Sequence, residues 1–285
     1  MRRFEFEGAT ALVTGAAGGI GAQLARGLAT RGSHLILLDR NADGLAALAD
    51  DLAVDHDAVR VETHTIDLTD RAALLDLAAS IATAHPDLSL LVNNAGVALA
   101  GTFENLGLGQ FEWVMEVNFH APVALTHALL PTLLANPGSH IVNMSSLFGL
   151  IGPYGQSAYS SSKYAMRGFS EVLRTELAPR QVGVTVVHPG GVRTDIARSA
   201  QVAERADEEQ SARLLGAFDR MLRYPPERAA REILSGVHRR SARVLVTPEA
   251  VFSDLAVRVA PSRYPGLIDL MTKAAARAGQ LPGLR

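Results

Sequence analysis

Residues 10–21, Thr-Ala-Leu-Val-Thr-Gly-Ala-Ala-Gly-Gly-Ile-Gly, decide how this chain is expected to fold. A short strand-like run leads into a turn with four glycines, and a helical pattern follows over 19–31. In such a strand–turn–helix, backbone N–H groups and the helix N-terminus can approach a phosphate, because glycine has no side chain to block the way. The stretch therefore predicts the phosphate-binding end of an α/β dinucleotide fold.

The same alternation of short apolar runs and Ala- and Leu-rich helical patterns continues along the chain. The predicted strands are 10–14, 34–39, 59–65, 88–92, 140–144, 182–188 and 243–246. The predicted helices are 19–31, 43–54, 70–84, 110–135, 157–177 and 226–239. Most of the strands are almost continuously apolar, as expected of parallel strands that helices cover on both faces.

We therefore expect an α/β fold: a doubly wound Rossmann-type parallel sheet of about seven strands, with no linker between two domains. Residues 1–246 are predicted to form the dinucleotide-binding domain, including the catalytic site. Residues 247–285 are predicted to form a C-terminal helical extension, packed on the same domain or on a neighbouring subunit. Its apolar residues recur at a spacing of four in one segment and cluster in a second, which indicates two short helices.

Composition excludes several functional classes. The 285 residues carry a net charge of -2, so no basic excess favours a nucleic-acid partner. The absence of cysteine excludes disulfides and thiolate chemistry. The nine histidines show no ligand spacing, so no metal site is expected. No apolar run is long enough to span a bilayer and no secretory signal is recognised, so a membrane association is not expected and the cytoplasm is the expected location.

Asp39 is the residue that indicates which dinucleotide binds. It ends the second predicted strand, 18 residues after Gly21, where a carboxylate can accept hydrogen bonds from the adenosine ribose. The same charge would repel a 2′-phosphate, which favours NAD. Arg40 leaves NADP open as an alternative, because an arginine at this place could pair with that phosphate.

Tyr159 and Lys163 are the candidate catalytic pair. Their spacing of four places phenol and ammonium on one helix face. A free phenol has a pKa of about 10, and a nearby cation favours its ionised form, which suits general acid/base catalysis. Ser146 follows the strand 140–144, so its hydroxyl is expected at the carboxyl edge of the sheet, where it could hold a substrate oxygen.

With these residues in view, the chain resembles the short-chain dehydrogenase/reductase family, in its compact single-domain branch, over roughly residues 8–246. The matching motifs are Thr14-Gly15-x-x-x-Gly19-x-Gly21, Asp67, Asn93-Asn94-Ala95-Gly96, Asn118, Ser146, Tyr159-x-x-x-Lys163 and Pro189-Gly190-x-Val192-x-Thr194. The turn also matches Thr-Gly-x-x-Gly-x-x-Gly of the longer epimerase and dehydratase branch. Chain length and the Asn-Asn-Ala-Gly motif favour the compact branch, and the Tyr–Lys spacing of four disfavours an enoyl reductase.

The resemblance implies roles for these positions. Tyr159 would be the general acid/base, Ser146 would polarise the substrate carbonyl, and Lys163 would bind the nicotinamide ribose. Asn118 would hold a water that relays protons. The implied cofactor contacts, in addition to Tyr159 and Lys163, are Gly15, Gly18, Gly19, Ile20, Gly21, Asp39, Arg40, Asp67, Leu68, Asn94, Ala95, Gly96, Pro189, Gly190, Val192 and Thr194.

Together these features predict an oxidoreductase that moves a hydride between NAD and a secondary alcohol or ketone. The expected substrate-facing residues are mainly apolar and favour a lipophilic substrate; they are Val97, Leu99, Leu147, Phe148, Tyr154, Gly191 and Ile196. A dinucleotide-binding protein without catalysis is the alternative from another class. A homodimer or homotetramer is expected, because helices 110–135 and 157–177 carry apolar residues on more than one face.

Overall fold

A computed structural model describes residues 1–207, 215–216, 219 and 221–266. Its strands are β1 (Thr10–Thr14), β2 (His34–Asp39), β3 (Val61–Thr65), β4 (Leu88–Asn93), β5 (Leu99–Ala100), β6 (His140–Met144), β7 (Gly183–Pro189), β8 (Gln201–Val202) and β9 (Arg243–Val246). Seven of them form one parallel sheet in the order β3-β2-β1-β4-β6-β7-β9. The other two, β5 and β8, pair separately.

Several helices begin where a side chain or a proline favours a start. They are α1 (Gly19–Ala29), α2 (Ala42–Asp55), α3 (Arg71–Ala84), α4 (Leu108–Met115), α5 (Ala121–Ala135), α6 (Ser157–Leu177), α7 (Pro226–His238) and α8 (Pro248–Val259). Asn41 accepts a hydrogen bond from the Gly44 backbone and so caps α2, and Asp70 caps α3 in the same way. Pro226 opens α7 at a position that needs no N–H donor.

The central strands bury side chains on both faces. In β1, Ala11 and Val13 pack with α1, α2 and α7, whereas Leu12 points to the opposite cluster with α3, α5 and α6. Successive strand residues point to opposite faces, so two helical layers require apolar residues at every position. This explains the continuous apolar runs in the sequence and confirms the predicted doubly wound sheet.

The predicted helix 110–135 is observed as an unbroken helical run that begins two residues earlier, at Leu108, but it is not α-helical throughout. The chain forms α4 first, then a π-helical segment at Glu116–His120, and then α5. A π-helical turn inserts an extra residue and rotates the side chains that follow it. The two-residue strands β5 and β8 were also not predicted, because so short a run shows no period.

The first predicted helix of the C-terminal extension is observed as α8. It packs against β9, and its own residue Ala250 is fully buried. The second predicted segment, with Leu267, Ile268, Leu270 and Met271, lies outside the described residues. The division at residue 246 remains a prediction. Within the described part of the chain, no helix has the length and apolar character needed to cross a membrane.

Candidate active site

A cleft of about 350 Å³ opens where the strand order reverses between β1 and β4, at the carboxyl edge of the sheet. The motifs that lie far apart in sequence meet here. The predicted site residues that line the cleft are Gly15, Gly18, Gly19, Ile20, Asp39, Asn94, Ala95, Gly96, Ser146, Leu147, Phe148, Tyr159, Lys163, Pro189, Gly190, Gly191, Val192, Thr194 and Ile196. The lining does not include the other predicted residues, which are Gly21, Arg40, Asp67, Leu68, Val97, Leu99, Asn118 and Tyr154.

The glycine turn requires glycine for two different reasons, backbone conformation and close packing. Gly15 and Gly19 have φ angles of +65° and +55°, which side-chain-bearing residues rarely adopt. A Cβ atom on Gly21 would lie 2.0 Å from the Gly15 carbonyl oxygen, so the turn packs directly on α1. By contrast, a Cβ atom on Gly18 would meet nothing within 4 Å. The open space at Gly18, beside the N-terminus of α1, fits the phosphates of a dinucleotide.

Asp39 lies on the wall of the cleft with its carboxylate held in place. One oxygen accepts a hydrogen bond from the Ala17 backbone at 2.9 Å, and the other accepts one from the Asn41 backbone at 3.0 Å. Arg40 is exposed and outside the lining, and its charge helps to lower the pKa of Asp67. The main cause of that lowered pKa is hydrogen bonding from Thr69. Asp39 therefore borders the cleft, whereas its neighbour Arg40 does not.

Asn94 connects the end of β4 to the glycine turn. Its side-chain amide donates hydrogen bonds to the carbonyl oxygens of Thr14, at 3.0 Å, and Gly15, at 3.1 Å. The Thr14 hydroxyl accepts hydrogen bonds from the backbone N–H groups of Asn94 and Ala95. The Asn94 side chain thus holds two loops of the cleft together.

Ser146, Tyr159 and Lys163 meet in the cleft as the sequence predicts. The Lys163 ammonium lies 5.6 Å from the centre of the Tyr159 ring and donates a hydrogen bond to the Met144 carbonyl at 3.1 Å. Ser146 hydrogen-bonds to Tyr159, and its own hydroxyl oxygen accepts from the Phe148 backbone at 3.1 Å. A substrate oxygen between the two hydroxyls would meet two hydrogen-bonding groups at once.

Burial controls the acidity of this pair. It lowers the pKa of Lys163 to about 8, because the charged form loses its hydration. It also raises the pKa of Tyr159, and only the hydrogen bond from Ser146 acts in the opposite direction. Without a bound cofactor, burial therefore has a larger effect on the pKa of Tyr159 than the neighbouring Lys163 has. The spacing of four in the sequence did not indicate this effect of burial.

Asn118 lies in the π-helical segment, next to the cleft but not on its surface. Its side-chain oxygen accepts a hydrogen bond from the Val97 backbone at 2.8 Å, and its amide donates to the Val97 carbonyl and to Ser162, each at 3.0 Å. A Cβ atom on Gly96 would lie 3.2 Å from both Asn118 Oδ1 and Lys163 Nζ. The side chain thus fixes the loop after β4 against α6.

Some of the residues that were expected to face the substrate lie outside the cleft. Val97 packs in a separate apolar cluster with Leu99, and Tyr154 is 73% exposed outside the cleft. Sequence reasoning missed several lining residues; they are Ala17, Asn41, Met144, Ser145, Asp195, Ser199, Met221 and Leu222. Asp195 and Ser199 come directly after the Thr194 motif and are four residues apart, a spacing that could have predicted that both face the cleft. Met221 and Leu222 had none, since they reach the cleft through backbone hydrogen bonds from Arg223 and Tyr224 to Gly191.

Comparison with known proteins agrees with this geometry. The model of the short chain dehydrogenase family matches residues 9–205. The chain is 40% identical over 269 residues to SadH of Mycobacterium tuberculosis strain H37Rv, and the match covers 92% of this chain and 95% of SadH.

Solved structures show the same architecture. A short-chain dehydrogenase/reductase from Burkholderia phymatum, crystallised with NAD, superposes with a TM-score of 0.78 at 28% identity, covering 90% of this chain and 94% of that one. A short-chain dehydrogenase from Sphingobium yanoikuyae, crystallised with NADPH, gives 0.72 at 28% identity, with 97% and 96% covered. The chain is therefore an oxidoreductase of the short-chain dehydrogenase/reductase family, whose members use nicotinamide cofactors.

Proposed function

We propose that this protein is an NAD-dependent alcohol dehydrogenase or carbonyl reductase for lipophilic secondary alcohols and ketones. The observation that carries the proposal is one cleft with Asp39 at one end and the Ser146–Tyr159–Lys163 group at the other. Every position that the chemistry requires holds a suitable side chain, which favours an enzyme over a dinucleotide-binding protein without catalysis.

The mechanism assigns one task to each residue. The glycine turn, Asp39 and Lys163 would hold the cofactor, and the bound nicotinamide would accept or supply the hydride. Tyr159 takes the proton of an alcohol substrate, or gives one to a ketone, at its phenol oxygen. Ser146 holds the substrate oxygen with its hydroxyl. Since burial raises the pKa of Tyr159, the positive charge of Lys163 is needed to favour the phenolate during oxidation.

Asn118 is assigned a part in proton transfer by the resemblance alone. Both polar atoms of its side chain bind Val97 and Ser162. We propose that the side chain fixes the π-helical segment, so that a water held at this segment could pass protons from Lys163 to solvent.

The proposed preference for NAD rests on charge. The Asp39 carboxylate borders the cleft and would accept hydrogen bonds from ribose hydroxyls, whereas a 2′-phosphate at the same place would be repelled. The alternative, an NADP-dependent reductase, needs Arg40 to turn towards that phosphate. Because the similar Sphingobium protein was crystallised with NADPH, both cofactors are compared in the experiment.

The proposed substrate class rests on the walls near Ser146 and Tyr159. Leu147, Phe148, Ile196 and Leu222 present apolar surface to the cleft. Burying the apolar body of a substrate against such walls is favourable, while its oxygen is held by the two hydroxyls. Asp195 and Ser199, which are both exposed to solvent, add polar groups to the lining.

A panel of secondary alcohols and ketones tests the proposal, with turnover followed by nicotinamide absorbance with NAD(H) and with NADP(H). We expect turnover of lipophilic members and a higher kcat/KM with NAD(H). Asp39→Ala should reduce the preference for NAD, because it removes both the ribose acceptors and the repulsive charge. Arg40→Ala is the matched control and should leave the preference unchanged. A higher kcat/KM with NADP(H) that Arg40→Ala abolishes would establish the alternative.

We also propose a homo-oligomer, a dimer or tetramer, formed through α4, α5 and α6, and a cytoplasmic location. The apolar residues that prompted the first expectation are largely covered within one chain; they are Trp113, Val114, Val117, Met166, Phe169 and Leu173. The support now comes from Tyr164 and Val172, which remain exposed on α6. Light scattering at micromolar concentration should give at least twice the monomer mass, and a monomer mass would contradict the proposal.

A further inference from the structure

His188 is a buried titratable group that the proposed mechanism does not use. It is the penultimate residue of β7 and lies directly before the Pro189-Gly190 turn that lines the cleft. Its solvent exposure is 0%. An imidazole in a strand of valines, completely removed from water, needs a reason, because burial of a polar ring without a partner is unfavourable.

The ring makes one hydrogen bond within the described residues, and that bond reaches the catalytic serine. His188 Nδ1 lies 2.9 Å from the main-chain carbonyl oxygen of Ser146, so Nδ1 carries the proton and donates it. The other nitrogen, Nε2, is buried and has no hydrogen-bond partner among these residues. Burial lowers the pKa of His188 to about 4, with Arg243 and Arg167 acting in the same direction. The ring is therefore a neutral donor at physiological pH.

The carbonyl that receives this bond belongs to the residue at which the chain leaves the sheet. The Ser145 backbone makes the last bond to β7, with Val187 at 2.9 Å, before the chain leaves the sheet. The Ser146 carbonyl then accepts from the Gly149 backbone at 3.0 Å and from His188. The first of these bonds is local to the turn, and other bonds tie the neighbours Ser145 and Gly149 to α6. Among the described residues, His188 is therefore the group of the sheet that holds the Ser146 carbonyl itself.

Resting on the proposed function, we propose that His188 is a positioning residue for Ser146. By holding the Ser146 carbonyl, the ring sets the direction of the Ser146 hydroxyl, which hydrogen-bonds to Tyr159 and is to polarise the substrate oxygen. An offset of this hydroxyl weakens a contact that matters most in the transition state, so the loss falls on kcat more than on cofactor binding.

A double-mutant cycle tests the proposal, with kcat, NAD dissociation constant and melting temperature measured for each variant. His188→Leu removes the donor but keeps apolar volume, and it should lower kcat roughly 10- to 100-fold with NAD affinity unchanged. His188→Asn places an amide N–H close to the Nδ1 position and should restore kcat to within about 3-fold of wild type. In a Ser146→Ala background, His188→Leu should change kcat by less than about 2-fold, because the residue through which it acts is gone.

Fully multiplicative effects of His188→Leu and Ser146→Ala, or a His188→Asn variant of normal melting temperature whose kcat falls as far as that of His188→Leu, would overturn the proposal. If His188→Leu does not fold, His188→Gln replaces it, since its amide extends beyond the Nδ1 position; unchanged kcat in this variant would overturn the proposal equally. A Ser146→Ala variant of normal kcat would instead contradict the proposed function itself.

Discussion

The two ends of the cleft are built in different ways. At the glycine end, Gly15, Gly18, Gly19 and Gly21 lie within seven residues of chain, and what matters is backbone shape and the absence of side chains. At the substrate end, Ser146, Tyr159, Ile196 and Leu222 come from four separate segments, and what matters is side-chain chemistry and burial.

This difference teaches where each kind of change should act. A substitution at the glycine end alters space, so it should affect cofactor binding or folding before it affects chemistry. A substitution at the substrate end alters a reacting or contacting group, so it should affect turnover while the cofactor still binds. Lys163 lies between the two ends and carries a stability cost of its own.

The largest effect is expected for Tyr159→Phe at the substrate end. The ring and its packing remain, but the phenol oxygen, the proposed proton donor and acceptor, is lost, so kcat should fall by roughly 10²- to 10⁴-fold. NAD binding, measured by titration, should stay within a small factor of wild type. Activity close to wild type on any substrate of the native protein would mean that Tyr159 is not the acid/base and that the two ends do not divide as described.

Gly21→Ala and Gly18→Ala form a matched pair at the glycine end. The new Cβ on Gly21 would collide with the Gly15 carbonyl and the Asn94 amide, so this variant should lose about 1–3 kcal/mol of stability, measured by denaturant unfolding. The new Cβ on Gly18 would enter open space, so stability should stay unchanged while NAD affinity falls. Unchanged NAD affinity in Gly18→Ala would show that the cofactor does not use this space.

Lys163→Met tests the stability cost of the buried charge between the two ends of the cleft. Burial lowers the pKa of Lys163 from 10.5 to about 8, so between these pH values the unfolded chain holds a proton that the folded chain lacks. The cost of the buried charge is therefore present in full below about pH 8 and is relieved as the pH rises through this window.

We expect cofactor-free Lys163→Met to exceed the stability of wild type at pH 7 by about 2 kcal/mol, after loss of the bond to Met144. The gain should shrink between pH 8 and 10.5, as followed by urea unfolding at several pH values. If the gain in stability did not depend on pH, its cause would be packing rather than the buried charge. Turnover of this variant should be lost together with cofactor affinity.

The smallest effect is expected for Leu222→Ala, on the wall of the substrate end. Leu222 is largely buried and lines the cleft, so its truncation removes apolar contact with a lipophilic substrate. KM should rise roughly 10-fold for large ketones and less for small ones, with NAD affinity unchanged. Val54→Ala is a suitable control because this side chain is 84% exposed on α2 and lies outside the cleft. Equal KM shifts for large and small ketones would place Leu222 away from the substrate.

The sequence by itself determined the sheet, the glycine turn and the group Ser146, Tyr159 and Lys163. These features depend on local patterns, namely short continuous apolar runs, a spacing of four and a cluster of glycines, which the linear sequence records directly. Strand bounds at 10–14, 34–39, 140–144 and 243–246 were predicted without error for the same reason.

Only the tertiary structure decided which remote segments complete the site. Leu222 reaches the cleft because backbone groups of Arg223 and Tyr224 bind Gly191, and no spacing in the sequence encodes that contact. The π-helical turn around Asn118 and the bond from His188 to Ser146 likewise depend on partners distant along the chain. Burial of Tyr159 and Lys163 sets their acidity, and burial is a property of the packed whole, because it depends on every segment that excludes water from the same place.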